Sequence, residues 1–442
     1  MIARLAALPG MTPAVPFMAT AVLLLPLVGL GLFAVSARVA AGEVRTYPVL
    51  AVNHLITLGW GTLLAMGSIH QMFPAMIGVP LRPGRAALVQ FGLSLTGAVV
   101  LVIGFLLRHV VWIAVGGTLA WIGIVLFVWL TVRLIPQRRR WLPETTGVLL
   151  ALIYLLLAAT WGLLMGLNWT RQFWPGLLTN AGVGVHAALG VGGWFVQLVV
   201  SVSYYLLPRF MGLHRTGQTA RGDMDEHSSG DDERAPRLAP VLILLNTGVI
   251  LLLVAAFAGS SLPARTGATL LAAAGVLYAG DLARILRARQ RTKPDLTVHH
   301  WWAIWGQTVL LLLLAAVWAV GGFAEEGRRV AAAAVMLLLT GWLTLAIMGQ
   351  LYKVTPFLMW YYRFALGMPA AEVPRLAAPY YPLVGVPPFY LSVAGSTLLA
   401  AGVLFTAPLL ATAGSLLLLI AVLAFWYVMA VSWIRAAARQ AE

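Results

Sequence analysis

The sequence predicts an all-α polytopic membrane protein, and three observations support this fold class. Of its 442 residues, 61% are hydrophobic and only 10% are charged, whereas about a quarter of a soluble globular chain is charged. The apolar residues form long runs, and a helix needs roughly 20 of them to cross a bilayer. The charged residues lie between these runs, so the net charge of +15 does not predict a nucleic-acid partner. The lipid bilayer is the partner that the composition predicts.

Twelve apolar runs are long enough to cross the membrane, and we interpret them as one transmembrane domain over residues 1–442. We expect the first run to be retained as a helix, because no convincing small-residue cleavage site accompanies it. The acidic, His-containing segment 209–238 is interpreted as a disordered cytoplasmic loop, with metal binding as the alternative. The runs cover residues 14–37, 47–73, 86–107, 110–132, 146–168, 178–207, 239–260, 266–286, 299–320, 330–355, 385–405 and 408–434.

Basic residues are distributed unevenly between the two sides of the predicted membrane. The N-terminus and the segments after runs 2, 4, 6, 8, 10 and 12 hold 22 of the 29 Lys and Arg residues, and the remaining segments hold 7. Because cytoplasmic segments are enriched in Lys and Arg, this distribution predicts that both termini are cytoplasmic. The expected location is a bacterial-type inner membrane.

A Gly-Trp pair followed, after thirteen residues, by Pro occurs three times. The copies are Gly59-Trp60 with Pro74, Gly193-Trp194 with Pro208, and Gly341-Trp342 with Pro356. They lie in runs 2, 6 and 10, which have the same predicted orientation. Small residues let helices approach closely in lipid, and Pro ends or kinks a helix. The recurrence in every fourth run predicts three related four-helix units in pseudo-threefold arcs.

Two histidines share one depth in the predicted membrane. His54 lies 7 residues into run 2 and His186 lies 8 residues into run 6, which places both roughly 10–12 Å below the outer boundary. An ionisable residue inside a membrane predicts a functional site; the alternative is a neutral imidazole bonded to a carbonyl or amide. His299 and His300 begin run 9 at the opposite face, where we expect interfacial anchors.

The residue types that are absent also restrict the chemistry. The chain has no Cys, which excludes disulfides, thiolate metal sites, iron–sulfur clusters and covalently attached heme. The carboxylates lie at or beyond the ends of the runs, with Asp281 near the end of run 8. A proton pump usually needs an ionisable group at mid-membrane, so we do not expect an oxygen-reducing proton pump.

The chain resembles subunit I of the heme-copper oxidase and nitric oxide reductase superfamily. The run Asn53-His54-Leu55…Leu58-Gly59-Trp60 is similar to the family's second helix, where a His binds the low-spin heme. The run from His186-Ala187-Ala188-Leu189-Gly190 to Tyr204-Tyr205-Leu206-Leu207-Pro208-Arg209 is similar to the sixth helix of the C-type oxidases and nitric oxide reductases, where the His binds copper. The resemblance implies twelve helices, cytoplasmic termini and three arcs of four helices.

The chain departs from this family at most of the other ligand positions. Run 7 lacks the family's His pair, run 10 contains no His, and Gly190 stands where a catalytic Tyr or Glu would lie. The position in run 10 that matches His54 is Met336. A complete binuclear centre is therefore not expected. Residues 207–217 are similar to a run in the NnrS-type membrane proteins of the nitric-oxide response, which are implicated in heme and copper binding.

These resemblances imply a heme-binding redox or nitric-oxide-handling membrane protein, and an oxidoreductase if it is an enzyme. His54 would be an axial ligand of heme b, with Met336 as a possible second ligand, and His186 would bind a second metal, such as copper, or a heme. An electron-donor or accessory subunit would be a partner. Two alternatives stay open: a twelve-helix permease or metal/heme transfer protein without a fixed cofactor, and a cofactor-free structural or assembly subunit.

Overall fold

A computed structural model describes residues 14–80, 84–213, 238–290, 295–321, 325–360 and 382–438. Within these ranges twelve helices are long and apolar enough to cross a membrane, and no strand occurs. The predicted all-α, twelve-helix fold class is therefore confirmed. The helices are α1 (Ala14–Ala40), α2 (Tyr47–Ile77), α3 (Arg85–Leu106), α4 (Val110–Gln137), α5 (Pro143–Arg171), α6 (Asn180–Phe210), α7 (Leu238–Ala258), α8 (Ser261–Arg287), α9 (Leu296–Ala319), α10 (Glu325–Leu358), α11 (Val386–Leu404) and α12 (Pro408–Ser432).

The segment predicted to be a disordered loop is only partly described. Helix α6 continues through Phe210, beyond the predicted end of the run at residue 207. Residues 214–237 lie outside the described residues. The disorder of this loop and its alternative metal binding therefore stay predictions.

The Gly-Trp repeat coincides with a change of helix type. Each of α2, α6 and α10 contains a π-helical segment at the repeat, over Leu55–Thr62, Ala188–Val196 and Leu337–Leu343. A π segment forms i→i+5 hydrogen bonds and is rare outside functional sites. His54 and Met336 directly precede their segments, and His186 lies two residues before its own. The sequence repeat is thus also a repeat of backbone structure.

The helices pack in chain order, and α12 also packs against α1. The π segments of α2 and α6 both contact the π segment of α10. A hydrogen bond of 3.1 Å from Trp194 Nε1 to Thr62 Oγ1 joins α6 to α2, and both side chains are buried. These contacts place α2, α6 and α10 together in the interior, while their arrangement into three arcs stays a prediction.

Glycine brings three neighbouring helix pairs into backbone contact. A Cβ at Gly97 of α3 would lie 2.2 Å from the Ala120 nitrogen of α4, and one at Gly402 of α11 would lie 2.4 Å from the Ala411 nitrogen of α12. In α8, a Cβ at Gly267 would lie 2.8 Å from a carbonyl oxygen of α7. Small residues at helix interfaces are the usual means of tight packing in lipid. The third and fourth helices of each predicted unit share this contact, which adds a second recurring feature.

Candidate functional site

His54 and His186 lie side by side, and both are half-buried. His54 is the eighth residue of α2 and His186 is the seventh residue of α6, so the two side chains enter the bundle at nearly the same depth. Their ring centroids are 6.3 Å apart and the ring planes differ by 22°. The sequence predicts that His54 and His186 lie at equal depth. The packing of α2 beside α6 then brings the two rings close together.

The orientation of His54 is set by its own helix and by α3. Its Nδ1 lies 2.8 Å from the Leu50 carbonyl oxygen one turn earlier. Because a carbonyl only accepts hydrogen bonds, Nδ1 carries the proton and Nε2 keeps its lone pair. The Phe105 ring of α3 stacks against the imidazole at 4.9 Å. Metal-binding histidines are commonly held in this way, with one nitrogen donating to a carbonyl and the other free to bind.

His186 has a buried ring nitrogen and packs against α5. Its Nδ1 forms no hydrogen bond to a described residue by distance and angle, and the backbone of Ala158 in α5 lies close to the ring. A buried, unpaired polar atom costs about 1–3 kcal/mol and is a reason to look for an ion or ligand. The ring packs directly on Gly162 of α5, where a Cβ would lie 2.8 Å from Cε1 of His186.

The separation of the two rings fits a pair of metal ligands. Imidazole nitrogens bind a metal at about 2.0–2.1 Å, so two nitrogens on opposite sides of one metal lie roughly 4 Å apart. Adding about half a ring on each side gives a centroid separation close to the observed 6.3 Å. Among the described residues, no group of three or more His, Asp or Glu could hold a metal ion. Two histidines would therefore suffice only for a metal that a further group also coordinates, such as the iron of a heme.

Met336 packs in the apolar core. It is 7% exposed and belongs to the main apolar core, which is the ordinary environment of a methionine side chain. Its position before the π segment of α10 matches that of His54 in α2. Its role as a heme ligand stays a prediction, and the structure places His186 beside His54.

One histidine that the sequence assigns to the interface is buried instead. His299 is exposed, but His300 has no exposed surface, and its ring packs against Tyr352 at 5.4 Å and Phe389 at 4.9 Å. The prediction of an interfacial anchor is therefore wrong for His300. Adjacent residues point to different sides of a helix, and the apolar Ile304, four residues later on the same side as His300, is a signal that could have identified the buried face.

Asp281 lies near the end of α8, as the sequence indicates, but it is buried. It is 3% exposed, accepts a 2.5 Å hydrogen bond from the Tyr204 hydroxyl of α6, and forms an ion pair with Arg284. A buried carboxylate is stable only when it is paired and hydrogen-bonded in this way. The group fastens α6 to α8, so α6 is anchored at its far end while His186 lies near its start.

Comparison with known proteins adds no assignment: no protein-family model and no curated protein sequence matches the chain. The chemistry of the site is therefore argued from its geometry.

Proposed function

We propose that this multi-pass membrane protein binds heme b between His54 and His186 and acts in electron transfer or nitric-oxide handling. The observation that carries the proposal is the pair of inward imidazoles at a centroid separation of 6.3 Å. His186 takes the place of Met336 as the proposed second ligand, because it is the side chain beside His54. Copper is the second candidate cofactor, since imidazole also suits copper. We place the protein in a bacterial-type inner membrane, with cytoplasmic termini as the basic residues predict.

The surrounding residues support the roles proposed for the two ligands. The Leu50 carbonyl accepts the Nδ1 proton of His54, which orients the ring and increases the basicity of Nε2. Phe105 covers one face of that ring. Gly162 lets the His186 ring pack directly against α5. When bound, heme would supply a one-electron redox couple and an iron whose potential depends on its axial ligands.

The test is the absorption spectrum and the heme and copper content of the purified protein. We expect a Soret band in the wild type that is lost or shifted in His54→Ala and in His186→Ala. His299→Ala is the matched control, because its Nδ1 forms the same bond to the carbonyl four residues earlier, at 2.9 Å, but the side chain is exposed. We expect no change in the spectrum of this variant.

Two results would change the proposal. A spectral change in Met336→Leu with none in His186→Ala would restore Met336 as the second ligand. A wild-type protein that contains neither heme nor copper would overturn cofactor binding, and substrate-dependent flux in liposomes would then favour the permease.

A further inference from the structure

A tyrosine and an aspartate form a buried polar pair near the ends of α6 and α8. The Tyr204 hydroxyl donates a hydrogen bond of 2.5 Å to Oδ2 of Asp281, and each residue is 3% exposed. An O–H···O hydrogen bond of about 2.5–2.7 Å is typical of an ionised acceptor. His186 lies near the start of α6, so the proposed heme site makes no use of this pair.

Asp281 is placed to accept the proton of Tyr204. Arg284 forms its ion pair with Oδ1 of Asp281, so Oδ2 is left to the phenol. The Arg284 side chain is 60% exposed, and solvent screens the charge of such a group. An ionised carboxylate only accepts hydrogen bonds, and a proton acceptor within hydrogen-bond reach is the first requirement for proton transfer. The phenol is therefore already in contact with the base that would take its proton.

Tyr204 is also the first of three buried rings in series. Its ring lies 6.1 Å from that of Tyr278 in α8, which lies 6.4 Å from that of Trp342 in the π segment of α10. Tyr and Trp are the aromatic side chains that lose an electron most readily. Tyr278 donates to the Ser203 hydroxyl and Trp342 to that of Thr308, and a hydroxyl is a much weaker base than a carboxylate. An oxidising equivalent in this series therefore settles on Tyr204.

The burial of Tyr204 restricts the oxidant to a small uncharged molecule, because a charged group is costly to move into a bilayer. We propose that Tyr204 is a redox-active tyrosine that transfers one electron to such an oxidant, the nitrogen dioxide radical, while Asp281 takes its proton. The O–H bond of Tyr204 breaks and a new O–H bond forms at Oδ2 of Asp281. The electron reduces nitrogen dioxide to nitrite, so the products are a neutral phenoxyl radical, a neutral carboxylic acid and nitrite. The proposal is independent of the heme site.

The experiment exposes the purified protein in lipid nanodiscs to nitrogen dioxide and measures the nitration of each tyrosine by mass spectrometry. A second nitrogen dioxide radical couples with a phenoxyl radical to give 3-nitrotyrosine, so nitration records where the radical forms. We expect Tyr204 to be nitrated more than Tyr205. Tyr205 is the matched control within the same molecule, since it is also buried, at 6% exposed, and its ring contacts the Arg209 guanidinium at 3.8 Å, a cation where Tyr204 contacts a carboxylate.

Two variants separate proton transfer from the packing of the site. In Asp281→Asn the amide oxygen still accepts a hydrogen bond but takes no proton, and nitration of Tyr204 should fall about a hundredfold, since a positioned proton acceptor contributes about 10²–10⁴-fold. Arg284→Gln removes the same ion pair and keeps the carboxylate, so nitration of Tyr204 should stay unchanged. Equal losses in the two variants, or equal nitration of Tyr204 and Tyr205 in the wild type, would overturn the proposal.

Discussion

His54 and His299 make the same local hydrogen bond but lie in opposite surroundings. In each, Nδ1 lies within 2.9 Å of the carbonyl oxygen four residues earlier. The ring of His54 is covered by Phe105 and faces His186, whereas His299 is exposed. The helix therefore orients the imidazole in both cases, and only the neighbouring helices decide whether its free nitrogen can serve as a buried ligand.

Gly162 should be as important to the site as the histidines that it accommodates. In Gly162→Ala the new methyl group would lie 2.8 Å from Cε1 of His186, so the ring must move away from α5 and change its position relative to His54. We expect a shifted Soret band and weaker heme retention. Gly117→Ala of α4 is the control, since a Cβ there meets nothing within 4 Å. Identical spectra for the two variants would show that His186 is not held against α5.

At the scale of the elements, two buried tryptophans occupy matching positions but connect different helices. Trp194 donates to Thr62 at 3.1 Å and joins α6 to α2, while Trp342 donates to Thr308 at 3.0 Å and joins α10 to α9. Only the first bond connects the two helices that carry His54 and His186. We therefore assign Trp194 the role of holding the histidine pair together.

The pair of tryptophans gives a direct test of this role. Trp194→Phe should speed the loss of heme from the purified protein about fivefold, because one hydrogen bond contributes about 1 kcal/mol. Trp342→Phe removes an equivalent bond and should leave the rate unchanged. Equal rates in both variants would show that other α2–α6 contacts set the spacing.

At the scale of the whole molecule, the histidine pair lies near the first residues of α2. If the basic residues orient the protein as predicted, the proposed heme site lies toward the outer face. The orientation thus decides which solutes can reach this site.

Cysteine accessibility measures this orientation directly. His109 and Ala288 are exposed residues between helices, on opposite predicted sides. In intact cells a membrane-impermeant maleimide should label His109→Cys, and Ala288→Cys should react only after lysis. The absence of native Cys removes background labelling. The reverse pattern would invert the topology and place the histidine pair toward the cytoplasm.

The sequence predicts the parts of the site that depend on one-dimensional spacing. Helix length, the Gly-Trp repeat and the depth of His54 and His186 all follow from counting residues along a helix of fixed rise. The burial of His300 and of Asp281 escapes this reasoning, because both lie near helix ends and are covered by residues distant in sequence. The close helix contacts at Gly97, Gly267 and Gly402 are not predicted for the same reason, since each depends on which helix packs against the glycine.

The sequence by itself determined that the chain crosses a membrane with twelve helices. An apolar run as long as the bilayer is thick forms a helix, because a helix pairs all of its backbone N–H and C=O groups within the segment. The sequence also determined which histidines share a depth. Only the tertiary structure decided that His54 meets His186 while Met336 packs in the apolar core. The rotation and neighbours of each helix depend on side-chain packing between distant segments, which residue spacing alone does not contain.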